Sequence, residues 1–171
     1  MRLLFELDKR DYDPNGSVYA RPSVRAIIIR GGKLGMVHSL RYNYIKFPGG
    51  GIERGEDMQT ALAREVLEET GCIVLPDTVR PYGYVHRIEH GNTEEVFIQD
   101  NYYFFCDVAQ ETTMQKLDDY EAYEHFTFKW VTPRQIFNIN RACREGKVQR
   151  MVERDTQVTR MLISEGLLPQ E

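Results

Sequence analysis

The chain has 171 residues, a net charge of −4 at neutral pH, 42% hydrophobic and 28% charged residues. That length and balance suit one globular domain with a sizeable core, and the acidic balance argues against general nucleic-acid binding. No run is long enough to span a membrane, MRLLFELDKR lacks the apolar stretch of a signal peptide, and Cys72, Cys106 and Cys143 have no metal-ligand or redox spacing, so a cytoplasmic setting without membrane or disulfide framework is expected.

In chain order, Leu3–Leu7 reads as a short strand suited to a sheet edge, and Asp13-Pro14-Asn15-Gly16 as a turn. Arg25–Arg30 is apolar and β-branched between its arginines, as a buried strand would be. Gly31-Gly32 fits a two-residue hairpin turn into a second strand, Lys33–His38. A polar and aromatic loop then runs to Gly49, Gly50 and Gly51, where the backbone can approach a ligand closely or adopt φ > 0. Glu56 to Thr70 is rich in helix formers, and Gly71 stands where a helix stop is expected. At about 100° per residue, Glu65, Glu68 and Glu69 fall within an arc of roughly 100°, separate from the apolar arc of Leu62, Ala63, Val66 and Leu67. Ionised carboxylates on neighbouring turns repel one another, and a hard divalent cation would relieve that repulsion.

This stretch, FPGGGIERGEDMQTALAREVLEETGC, resembles the Nudix box of the Nudix hydrolases, G-x5-E-x7-R-E-U-x-E-E-x-G-U with U a bulky apolar residue. Gly50, Glu56, Arg64, Glu65, Val66, Glu68, Glu69, Gly71 and Cys72 fill the pattern, Cys72 standing where an aliphatic residue is more usual. At about 7% usage per residue type, seven fixed identities coincide about once in 10⁸ trials. The resemblance implies an α/β fold, a Nudix-type α/β/α sandwich with a mixed β-sheet, and Mg²⁺- or Mn²⁺-dependent hydrolysis of a nucleoside diphosphate linked to another moiety. A nucleoside triphosphate, a nucleotide sugar and a capped RNA end all fit that class, and the compact length favours a small nucleotide such as the first two. It further implies Glu65, Glu68, Glu69 and Glu56 as metal ligands and Glu69 or a loop carboxylate as general base. Glu68, Glu69 and Arg64 are the catalytic set, with Arg64 orienting a box carboxylate. The backbone of Gly49, Gly50 and Gly51 is expected to lie close to metal and phosphate, and Arg41 and Lys46 are the candidate cationic phosphate contacts. Neutralising Glu68 or Glu69 is expected to lower turnover with little loss of stability. A Nudix-like nucleotide-sensing binding module without turnover is the alternative.

Beyond the box, Val79–Ile88 and Glu94–Val108 read as strands, with aromatic residues suited to sheet packing or to a base-stacking pocket. Glu111–His125 reads as a loop or short helix, from which Glu121 or Glu124 is the candidate extra metal ligand or base. Phe126–Val131 is the last strand, and Thr132-Pro133-Arg134-Gln135 caps a helix to about Arg144. A further helix, Val148 to Glu165, is expected to break near Asp155 and to pack on the domain or on a partner subunit of a homodimer. The whole, 1–171, is read as one domain with an N-terminal strand extension (1–23) and a C-terminal helical extension (147–171). The markers that distinguish some Nudix subfamilies downstream of the box are absent from Arg87–His90.

Overall fold

The computed structural model describes residues 1–170. Among the described residues, eleven strands and four α-helices build an α/β fold from mixed sheets with helices on both faces. The first sheet is ordered β1 (Leu3–Asp8), β8 (Arg80–His90), β9 (Val96–Phe105), β2 (Val18–Ala20), and β3 (Ser23–Ile27) continues beside β9. β8 and β9 are antiparallel, whereas β1 runs parallel to β8, and β2 and β3 parallel to β9. The second sheet centres on β5 (Lys33–Ser39), which pairs with β11 (Phe126–Val131), β4 (Ile29–Arg30) and β6 (Tyr44–Lys46). A ribbon of β7 (Cys72–Val74) and β10 (Val108–Thr112) completes the strands.

The side-chain period of a strand sorts the core into two layers. Val24, Ala26 and Ile28 pack with Ala61, Leu62 and Val66 of helix α1 (Met58–Thr70). Ile27, from the opposite face, packs with Tyr103 and Val85, with Ile136 of α3 (Pro133–Ala142), and with Val158 and Leu162 of α4 (Gln149–Ser164). A run buried on both faces explains why RAIIIR reads as continuously apolar rather than alternating.

Several boundaries depart from the sequence-based expectation. The helix begins at Met58, not Glu56, because Asp57 caps it by accepting hydrogen bonds from the Gln59 and Thr60 amides. The strand expected through Val108 ends at Phe105. Val108 instead pairs with Val74 in the separate ribbon, so the start of Glu111–His125 is strand and its end the short helix α2 (Asp119–Tyr123). The Gly31-Gly32 turn has φ of 56° and 73°, as a two-residue hairpin with both central residues left-handed requires.

α4 is unbroken at Asp155. An aspartate disrupts a helix when its side chain competes for nearby backbone. Here Asp155 is fully buried and its carboxylate is taken up elsewhere: by the Tyr103 hydroxyl at 2.7 Å, the Phe47 amide at 3.0 Å and Arg154 Nε at 2.8 Å. Burial alone would raise the Asp155 pKa, but Arg154 holds it below the usual value. On α3, Asn140 accepts from the Ile45 amide at 2.8 Å and donates to the Ile45 carbonyl at 3.1 Å, so one side chain takes the place of a strand neighbour for β6. Both C-terminal helices therefore fix the backbone just ahead of the glycine run. Among the described residues no helix is long and apolar enough to cross a membrane.

Asp155→Ala would leave the Arg154 guanidinium buried without its carboxylate, a change that costs about 3–5 kcal/mol. Urea unfolding is expected to show a loss of that size. A loss under about 1 kcal/mol, the level of an ordinary surface change, would contradict the role given to Asp155.

Candidate active site

The glycine loop lies against β3 as an irregular strand. The Val24 amide donates to the Gly50 carbonyl at 2.9 Å and the Ala26 amide to the Pro48 carbonyl at 2.8 Å. Gly49 has φ of 135°, and a Cβ there would collide with the Val24 carbonyl, so this position requires glycine. Gly50 has no such backbone conformation. A Cβ there would take the space of the Glu65 carboxylate, so a side chain at this position displaces Glu65. A Cβ at Gly51 would overlap the Arg21 guanidinium in the same way.

Arg64 organises the outer face of α1. Its Nε and Nη2 form a fork on Glu56 at 2.9 and 2.8 Å, Nη1 reaches Glu65 at 2.8 Å and Glu68 at 3.2 Å, and Nη2 also donates to the Gly51 carbonyl at 3.1 Å. Glu56 in turn accepts from the Glu53 amide at 3.0 Å, which closes the turn before the helix. Hydrogen bonding from Arg64 holds the Glu56 carboxyl below its usual pKa, while burial raises that of Glu65. Arg64 thus orients box carboxylates, and Glu56 fixes the loop.

Glu69 belongs to a different environment. Although only four residues from Glu65, it is completely buried. One carboxylate oxygen pairs with Lys46 Nζ and the other accepts from the Gly49 amide at 2.8 Å. The Lys46 ammonium sits 4.9 Å from the Phe126 ring centre, and Arg25 donates to the Gly49 carbonyl from below. Burial pushes the Glu69 pKa up to about 7 against the pull of Lys46, and the charge of Glu121 adds to the rise. Lys46, expected as an open phosphate contact, is 4% exposed and already paired. Three carboxylates do not form one solvated face: Glu65 and Glu68 front the loop, and Glu69 is the core side of the same helix.

Arg41, also expected near phosphate, is held over the Tyr123 ring at 3.8 Å. Of the two later candidates, Glu121 is 3% exposed, accepts from the Asp118 amide and the Tyr120 hydroxyl at 2.9 Å each, and faces Glu69 closely enough to affect its charge. Glu124 accepts from Ser39 at 2.9 Å and from the Tyr44 hydroxyl at 2.6 Å, and so ties α2 to β5 and β6. Neither is a free surface charge. Sequence reasoning missed Arg21 and Arg25, since neither lies in the box. An arginine four residues before the apolar run and another at its start were the available signals.

Among the described residues no three acidic, histidine or cysteine side chains converge as a preformed metal cage. The donor set still suits a divalent cation. Glu56, Glu65 and Glu68 share the single guanidinium of Arg64, which leaves two negative charges in excess. Mg²⁺ is bound through a few carboxylates together with phosphates and retained waters rather than by an all-protein cage.

Comparison with known proteins agrees with this arrangement. A NUDIX domain family model matches residues 20–152. The fold is similar to a NUDIX hydrolase from Nitrosomonas europaea, with a TM-score of 0.56 at 26% identity over 79% of this chain and 87% of that one. It also resembles a MutT structure from work on Aliivibrio salmonicida and Vibrio cholerae, with a TM-score of 0.51 at 16% identity over 81% and 98% of the two chains. A MutT NUDIX hydrolase from Burkholderia pseudomallei gives a TM-score of 0.51 at 19% identity over 68% and 85%. No curated protein sequence matches. The box, its glycine loop and the sheet that carries them are those of a Nudix hydrolase, and the chain belongs to that family. It is accordingly an enzyme acting on pyrophosphate bonds of nucleoside diphosphate derivatives, in a family that generally uses divalent metals.

Two substitutions separate the inner from the outer carboxylates. Glu69→Gln strands the Lys46 ammonium in the core and is expected to cost about 3–5 kcal/mol, whereas Glu68→Gln, at a partly exposed position, should stay within about 0.5 kcal/mol. Equal effects in thermal unfolding would contradict the burial of Glu69. Gly50→Val is expected to displace Glu65, lower stability by about 1–3 kcal/mol and reduce turnover. Retention of both would remove the steric reason for glycine there.

Proposed function

We propose that this chain is a metal-dependent pyrophosphohydrolase of a small nucleotide, a nucleoside triphosphate or nucleotide sugar, cleaving it by direct attack of water. The observation that carries the reading is the carboxylate excess of Glu56, Glu65 and Glu68 around Arg64, set against the partly buried Gly50 and Gly51 of the glycine loop. Glu65 and Glu68 are the proposed Mg²⁺ or Mn²⁺ ligands, with Glu56 supporting and Glu69 joining only at the expense of its contact with Lys46. When bound, the metal lowers the pKa of a coordinated water and neutralises phosphate charge. Arg64 keeps Glu65 and Glu68 oriented toward Gly50 and Gly51. Glu69, its pKa raised to about 7 by burial with a smaller contribution from the charge of Glu121, is the proposed general base.

Neither the cysteines nor Ser39 are placed as nucleophiles for a covalent route. Cys72, Cys106 and Cys143 are all buried, and burial pushes the Cys106 thiol up to about 12. Ser39 is buried on Glu124, while His38, its neighbour on β5, turns to Asn43 and Lys129. The extensions 1–23 and 147–171 are proposed to form one domain with the core, which the contacts of β1 with β8 and of Asp155 with Phe47 support. A homodimer and a cytoplasmic location remain part of the reading.

Turnover in ¹⁸O-labelled water is expected to place label on one phosphate product in a single turnover, and chelation to abolish the reaction. A trapped phosphoryl-enzyme or full activity in excess chelator would sink the mechanism. Because protonated Glu69 cannot accept a proton, the rate should fall as pH drops through about 7. A flat profile between pH 8 and 5.5 would exclude Glu69 as base.

A further inference from the structure

A cavity of about 500 Å³ opens on the α4 side of the first sheet, lined by Tyr19, Arg21, Arg87, Glu89 and Phe97 and by the loop after His90. Strand register explains why these residues meet. Tyr19 stands opposite Phe97 and Phe97 opposite Glu89, so the three share one face, and Arg21 and Arg87, each two residues along, share it too. The Tyr19 and Phe97 rings lie 6.0 Å apart at 37°, and Tyr19 remains 51% exposed. Arg87 lies 5.5 Å from the Phe97 ring centre and pairs with Glu89.

Two polar atoms in this pair have no hydrogen-bond partner although they are buried: Arg87 Nε and Glu89 Oε2. Oε2 has only Arg150 Nε at 3.3 Å and Lys9 Nζ at 3.5 Å, ion pairs without hydrogen-bond geometry. What the cavity does present is a pair of aromatic rings flanked by the guanidinium groups of Arg21 and Arg87, a lining that favours a flat ligand with acceptor or anionic groups over a hydrocarbon chain.

Arg21 connects the cavity to the carboxylates. Its guanidinium fills the space beside Gly51, and the carbonyl of Gly51 accepts from Arg64. Arg21 is thus the lining residue of the cavity that also borders the glycine loop, beside the residue whose carbonyl Arg64 holds. We propose that this cavity binds the heteroaromatic base of the nucleotide, stacked on Tyr19 and Phe97, with Arg21 contacting phosphate between the base and the box carboxylates. The proposal rests on the nucleotide substrate class given under Proposed function.

The test is equilibrium binding in chelator, without turnover. The four ribonucleoside 5′-monophosphates and ribose 5-phosphate are titrated by calorimetry into the full chain, Tyr19→Ala and Arg21→Ala. Both residues are exposed, so both variants should fold, as far-UV circular dichroism would verify. At least one nucleotide should bind more tightly than ribose 5-phosphate. Tyr19→Ala should reduce that preference about tenfold, the scale of a lost base-stacking contact. Arg21→Ala should weaken nucleotide and ribose 5-phosphate alike. Equal affinity for nucleotide and ribose 5-phosphate, or a Tyr19→Ala effect shared by both, overturns the proposal. A base preference without any hydrolysis of diphosphate derivatives would sink the proposed reaction and leave the cavity assignment standing. Hydrolysis with a KM for nucleotide that Tyr19→Ala does not move would do the reverse.

Discussion

The buried pair between Lys46 and Glu69 is the constraint on which the site depends. A carboxylate in a protein interior is costly unless it is paired and hydrogen-bonded. Glu69 meets that requirement with the Lys46 ammonium on one oxygen and the Gly49 amide on the other. Since Lys46 closes β6 and Gly49 begins the glycine loop, the pair joins the box helix to the loop it faces. The helix cannot rotate without breaking both contacts, and its outer carboxylates inherit that fixed orientation.

The two sides of α1 then have separate tasks. On the inner side, Ala61, Leu62, Val66 and Glu69 are buried and hold the helix on the sheet. On the outer side, Arg64 spreads across Glu56, Glu65, Glu68 and the Gly51 carbonyl, so that the carboxylates stand side by side despite their repulsion. The loop between is held from the opposite layer. Asp155 grips the Phe47 amide and Asn140 brackets Ile45, so α3 and α4 set the path of the chain into the site without supplying a group to it.

The box was legible because its chemistry is local. The helix formers and the Gly71 stop lie in one stretch, although the Asp57 cap was not recognised, and the spacing of Glu65, Glu68 and Glu69 follows from helical pitch alone. What spacing does not carry is depth. An arc of 100° held three like residues, and the difference between Glu68 and Glu69 arises from what lies above them, β6 and the glycine loop. Lys46 and Arg41 looked equivalent as nearby cations, yet one is drawn into the core by Glu69 and the other onto Tyr123. Asp155 was read as a helix breaker because its partners, Phe47 and Tyr103, are remote in sequence. The cavity at Tyr19, Arg21 and Phe97 has no motif, since strand register alone assembles it.

The coupling between Lys46 and Glu69 is the most direct measure of whether helix and loop are fixed as a unit. A double-mutant cycle with Lys46→Met, Glu69→Gln and the combined variant, read by urea unfolding, isolates that energy from the separate costs of each change. A coupling of about 2 kcal/mol or more is expected, with the double variant more stable than either single one, since removing both charges spares the core an unpaired ion. Additive effects, with each single change costing under about 1 kcal/mol, would mean that Glu69 is solvated in the folded protein and that the box helix is oriented by something else.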